Sequence, residues 1–229
     1  MTVMWDEVRG PVLRTALGVG VATGTYGLSF GALATASGLT VTQACALSVL
    51  TFSGGSQFAL IGVLGAGGNV ASGSVSAILL GARNTLYGAR LAAPLRVTGW
   101  RRLIGAHLVI DESTAVALGS EDRGERAAQL GFWATGVAVF VLWNLATLIG
   151  AVAGTAIGDP RDYGLDAAVP AAFIALVAPR LRTLPTWLTA AAAAAVALAV
   201  VPVVPSGVPV LLAALVPVFA VLVFKERTQ

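Results

Sequence analysis

Between Arg14 and Arg83 the chain runs for 68 residues without one Asp, Glu, Lys, Arg or His. As a continuous helix this run would be about 100 Å long, against a bilayer hydrocarbon core of about 30 Å. It therefore has to cross a membrane more than once. Near its middle stands Phe52-Ser53-Gly54-Gly55-Ser56-Gln57-Phe58, a polar cluster that weakens a helix. Irregular backbone at that depth leaves N–H and C=O groups that lipid cannot satisfy, so it is tolerated only inside protein or along a wet cavity. A chain patterned this way is expected to move a polar solute.

Composition agrees. Hydrophobic residues are 57% of the 229 and charged residues 11%, where soluble domains carry about 45–50% and about 25%. A soluble all-helical domain of this length could not hide so much apolar surface. The net charge is only +3 and the basic residues are dispersed, so nucleic acid is not an expected partner. Cys45 and His107 are the single cysteine and the single histidine. Thiolate and multi-histidine metal sites are thereby excluded, and no cofactor is expected. His107 is read as interfacial. Ala32-Leu33-Ala34 has the small-x-small form of a signal-peptide cleavage site, but Asp6 and Glu7 spoil the basic leader and five glycines or serines interrupt its apolar stretch. The first helix is expected to remain.

Charge-free windows divide the chain into an all-α, polytopic membrane protein of about seven transmembrane helices, with a broken second helix. The spans are about 12–36, 41–65, 70–94, 127–157, 164–179, 185–204 and 207–224. Residues 103–119, short and interrupted by Asp111-Glu112, are not expected to cross. With the N-terminus outside, most of the Lys and Arg then face the cytoplasm, leaving only Arg9, Arg14 and Arg161 outside. The chain is one transporter domain, 1–229: a first repeat at about 12–94, a connector at about 95–126, and a second repeat with a last helix at about 127–224. Two three-helix halves of opposite topology would form an inverted repeat, with solute sites at broken helices near the midplane. The glycine-rich stretches 27–38 and 150–158 hint at such a repeat; chance likeness between Ala/Gly/Leu-rich segments explains them equally.

Several residues carry candidate chemistry. In the cluster 52–58, Gly54 and Gly55 permit unwinding, and the freed N–H groups of a half-helix suit an anionic group such as a carboxylate. Ser53, Ser56 and Gln57 offer donors and acceptors, and Phe52 and Phe58 offer apolar contact; close helix packing through small residues is the competing explanation. Arg83 sits mid-span, where a charge is costly and usually paired, with Asn84 beside it and Tyr87 one turn on. A snorkelling arginine or a structural ion pair is its alternative. Asp111, Glu112 and Asp166 are the proton-coupling candidates; solvated interfacial acids, or for Asp166 a helix-start acid, compete. Trp5, Trp100, Trp133, Trp143 and Trp187 read mostly as interface aromatics.

Together these features resemble the AzlC-type branched-chain amino acid permeases, the large subunits of two-component bacterial exporters. The resemblance rests on Gly27-Leu28-Ser29-Phe30-Gly31, the cluster 52–58, Arg83-Asn84-Thr85-Leu86-Tyr87, Asp111-Glu112-Ser113 and the stretch from Trp143 to Gly150. It covers about residues 11–180. Two positions depart from the family pattern: Gly55 precedes Ser56 where serine before alanine is usual, and Asn84 stands where a histidine often follows the arginine. The resemblance implies efflux of branched-chain or similar neutral amino acids across the cytoplasmic membrane of a bacterium, with a small AzlD-type membrane subunit as partner. No Gly-x-x-x-x-Gly-Lys-Ser/Thr loop occurs, so coupling to the proton gradient is expected instead of ATP. A passive channel or a non-transporting scaffold subunit is the alternative. An intramembrane serine hydrolase, with Ser53 or Ser56 as nucleophile and His107 as base, is the remote one.

Overall fold

The computed structural model describes residues 5–156, 181–204 and 208–226, with isolated positions at 171, 174, 177 and 178. Among the described residues every regular element is helical. Two helices form the frame: α1 (Trp5–Ala36) and α8 (Glu125–Ala156), each 32 residues long and apolar enough to cross a membrane. At about 1.5 Å per residue each exceeds the ~30 Å hydrocarbon core with turns to spare.

α1 and α8 run side by side in the same direction. Arg126 lies over the Trp5 ring near their starts, 5.4 Å from its centroid. Gly20 faces Ala138, Gly24 faces Leu142, Gly27 faces Trp143, and Gly154 faces Ala32 near their far ends. The glycines recur every three or four residues on α1, which makes one flat stripe and lets the backbones close up. A Cβ on Gly27 would stand 2.5 Å from the Trp143 carbonyl oxygen. The likeness between the glycine-rich ends of the two helices thus has a packing cause: each is the surface the other needs.

Between the frame helices lie α2 (Val41–Leu50), α3 (Gly55–Gly65), α4 (Val70–Gly81), α5 (Arg83–Leu95), α6 (Trp100–His107) and α7 (Asp111–Leu118). α2 descends against α8, with Ser48 Oγ donating to Thr147 Oγ1 at 3.2 Å and Phe52 against Phe140. After the break, α3 climbs again: Phe58 packs on Phe30 and Trp143, and Gly65 ends beside Ser37 at the finish of α1. The segment 41–65, expected to cross as one broken helix, instead enters and returns on the same side. Its hydropathy suits both paths equally; the staple described below decides between them.

α4 then runs back down α3, Gly73 against Leu60 and Gly81 against Ser56. α5 continues to the end where α8 begins, tied there by Gln129 Nε2 donating to the Pro94 carbonyl (3.0 Å) and by Arg96 to Glu125 (2.8 Å). From that end α6 and α7 form a second returning hairpin. His107 reaches Phe52 and Phe140 at its tip, while Gly131 contacts Val116 on the way back. Residues 103–119 fold back at 108–110 and dip to the middle of the frame.

The direction of α8 corrects the topology expected for the halves 12–94 and 127–224, which would set α1 and α8 antiparallel. Two stretches share one order of elements: α1 followed by the hairpin α2–α3, and α4–α5 followed by the hairpin α6–α7. Each is a full-length run followed by a dip from the end that run reaches. A 3₁₀ turn, Glu121–Arg123, leads into α8. Beyond it, α9 (Leu184–Val200) and α10 (Val208–Glu226) pack on one another, and α10 touches α4. Apart from those four isolated positions, the expected span 164–179 falls outside the described residues, as do Asp166 and Gly158.

Candidate functional site

The two hairpin tips meet near the middle of the frame, and both are held by the same device. In α3, Gln57 is 1% exposed. Its Oε1 accepts from Gly54 N–H (3.2 Å) and its Nε2 donates to the carbonyls of Leu47 and Ser48 (3.2 Å each). In α7, Ser113 Oγ accepts from Ile110 N–H (3.1 Å) and donates to the Leu108 carbonyl (2.7 Å). A side chain in the third helical position thus satisfies the helix start and ties it to the strand of chain arriving at the tip. Gly54 adopts φ 60°, ψ −85°, a conformation open to glycine and strained for other residues. That angle is what reverses the chain.

Between the tips is a cavity with about 130 Å³ of free space, roughly tenfold what one water needs. Thr23 and Tyr26 of α1, Val139 and Trp143 of α8, and the two tips enclose it. Phe52, Phe58 and Ile110 make its walls apolar; Ser53, Gly54, Gly55, Arg83, Asp111 and Glu112 supply its polar groups. Arg83 opens α5 and Asp111 opens α7, and Arg83 Nη2 meets Asp111 Oδ2 at 2.9 Å. Gly55 permits that arrangement, because a Cβ there would stand 3.0 Å from the guanidinium. Thr23 lies beside the Glu112 carboxyl.

The electrostatics of the cavity are one-sided in a useful way. Two helix starts, those of α3 and α7, bring their positive ends to it. Four of its buried polar atoms have no hydrogen-bond partner: Ser53 Oγ, Arg83 Nε, Asp111 Oδ1 and Trp143 Nε1. Buried polar atoms are nearly always partnered, and these four sit on residues that line one cavity, which marks it as a place that wants complementary polar groups. Donors stand on the α3 and Trp143 side, and carboxylates on the α7 side. A small molecule carrying both an acidic and a basic group matches that split.

Of the residues singled out in the sequence, the structure gathers Phe52, Ser53, Gly54, Gly55, Phe58, Arg83, Asp111 and Glu112 around the cavity. Four others do not line it. Ser56 faces α4 at Gly81, Gln57 is spent on the staple, Asn84 is half-buried, and Tyr87 packs against the core. Trp143, read as an interface aromatic, is 3% exposed at mid-depth. Its place in the centre of the apolar stretch 127–157 was the available signal. Thr23 and Tyr26 were passed over because a threonine and a tyrosine in an apolar helix have no distinctive spacing. His107, expected at the interface, packs against the touching Phe52 and Phe140 rings at 6.0 and 5.7 Å. It partners neither candidate nucleophile, since Ser53 Oγ and Ser56 Oγ are both without a hydrogen bond.

Neither the curated proteins nor the solved structures contain a match to this chain. The family described as AzlC protein matches residues 18–157, a stretch that spans both hairpins, most of the two frame helices and every residue lining the cavity. The chain belongs to the AzlC family, a membrane-transporter family associated with branched-chain amino acids.

Proposed function

We propose that the protein is a secondary transporter that exports branched-chain or similar neutral amino acids across the cytoplasmic membrane of a bacterium, together with a small membrane partner subunit. The observation that carries this reading is the set of four partnerless polar atoms around one apolar-walled cavity at mid-depth. The amino acid's carboxylate would take the Ser53 hydroxyl, the Trp143 N–H and the first N–H groups of α3. Its ammonium would face Asp111 and Glu112, and its aliphatic chain would lie against Phe52, Phe58 and Val139. Glu112 makes no ion pair among the described residues, whereas Asp111 holds Arg83. It is therefore the carboxyl free to carry a proton against the solute. The two hairpins, entering from opposite ends, would serve as the two gates.

Efflux of labelled leucine, valine and methionine, from cells with and without the co-expressed partner, tests the reading. Faster efflux of at least one of them, abolished by collapsing the proton gradient, is expected. Efflux indistinguishable from cells lacking the protein, with and without partner, would leave the scaffold alternative. Counterflow in proteoliposomes separates a carrier from a channel, because only a carrier accelerates labelled uptake when loaded from the other side.

A further inference from the structure

At the end where α1 and α8 begin, well away from the central cavity, a groove of about 630 Å³ opens between the α5–α6 turn and α8. Its construction follows the chain. Arg96 ends α5 at φ 48°, the one described non-glycine residue with positive φ, and Gln129 fixes the turn through the Pro94 carbonyl. The reversal brings Arg96, Arg101, Trp100, Trp133, Leu95 and Ile104 to line it, with Leu95 buried and Trp100 and Ile104 exposed. Arg96 spends its Nε on Glu125 at 2.8 Å. Arg101 has no ion pair among the described residues and leans over the Trp100 ring at 5.8 Å.

We propose that this groove binds the phosphate-bearing headgroup of an anionic phospholipid from the adjoining leaflet. A guanidinium fork matches phosphate geometry and is weakly enough hydrated to give up water at an interface. Tryptophans suit the glycerol and ester level of a lipid, and the aliphatic lining suits the first acyl carbons. The groove thus offers the guanidinium, aromatic and aliphatic groups that an anionic lipid would need. Basic pockets between helices at the cytoplasmic leaflet are where acidic headgroups concentrate. The inference rests on the membrane setting of this end and not on the transport reading.

Native mass spectrometry of the full chain in detergent, offered equal phosphatidylglycerol and phosphatidylcholine, reads it directly. Retention of phosphatidylglycerol over phosphatidylcholine is expected, weakened about fivefold by Arg101→Gln. Arg102→Gln, an equal charge change on an exposed neighbour outside the groove, should leave retention unchanged. Arg101→Lys, which keeps the charge, should retain the preference and guards against a variant that fails to fold. Equal loss from both glutamine variants, or equal retention of the two lipids, would overturn the site. Inorganic phosphate alone, raising thermal stability as much as phosphatidylglycerol does, would overturn the lipid assignment in favour of a soluble anion.

Discussion

A guanidinium at the depth of Arg83 costs at least about 2.5–3.5 kcal/mol on insertion scales unless it is paired or hydrated. Arg83 is paired: its partner is Asp111 at 2.9 Å, and the two side chains keep 21% and 20% exposure. That exposure places the loss from breaking the pair below the ~3–5 kcal/mol of a sealed one, at about 1–3 kcal/mol. Arg83→Gln and Asp111→Asn should each lower the melting temperature of the purified protein, and the double variant should recover part of the loss while remaining inactive in efflux. A double variant no more stable than the worse single one would mean that the pair does not hold the tips. Gln57 calls for a different test, since its amide serves three backbone groups. Gln57→Leu leaves one N–H and two carbonyls without it, a loss of about 1–3 kcal/mol. Lost stability with weakened transport is expected; unchanged melting with abolished transport would mean that the glutamine acts on the solute. Residue chemistry here was legible in part. Arg83 and Asp111 announced themselves by charge in an apolar setting, whereas Gln57 looked equally suited to solute or staple, and only the positions of Leu47 and Ser48 decide.

Elements are held by closeness more than by chemistry. Lipid tails are as apolar as leucine, so α1 and α8 gain little from burial alone and associate through backbone proximity. Gly31 shows the consequence: a Cβ there would fall within 2.6 Å of the Ala151 nitrogen, with the Thr147 carbonyl closer still. Both obstacles are backbone, so the helices must part, at about 1–3 kcal/mol for the overpacking. Gly18, on the same helix with nothing within 4 Å of its would-be Cβ, is the matched control. Gly31→Ala should melt well below wild type, and Gly18→Ala at or slightly above it, because alanine favours a helix by about 0.5–1 kcal/mol. Equal effects at the two positions would remove the glycine stripe from the explanation. The break at 51–54 was readable from its paired glycines, as was the division of 103–119 at its acids. Whether a broken segment goes on or turns back was not, because lipid-facing composition is the same for both directions. The information lies in one φ angle at Gly54 and in contacts ten residues apart.

The topology of the whole molecule inherits that ambiguity, since each segment that turns back instead of crossing reverses the side on which everything after it begins. Counting 41–65 as a crossing put the N-terminus outside and set α1 against α8. With both hairpins returning, α1 and α8 start at the same end, and the arginines sort accordingly. Arg90 pairs with Glu121, Arg96 with Glu125, and Arg126 covers Trp5, all at that end, where Arg9, Arg101, Arg102 and Arg123 also lie. Among the described residues, the connections at the other end, 37–40 and 66–69, carry no charge. Lys and Arg mark the cytoplasmic side of a membrane protein, so the start of α1 is expected inside, the reverse of the sequence-based orientation. In a Cys45→Ala background, Ala66→Cys should react with a membrane-impermeant maleimide on intact cells. Asp122→Cys, exposed at the arginine-rich end, should react only after permeabilisation. The opposite pattern would restore the N-outside orientation, and labelling of both from outside would mean that the α1–α8 frame does not span the membrane.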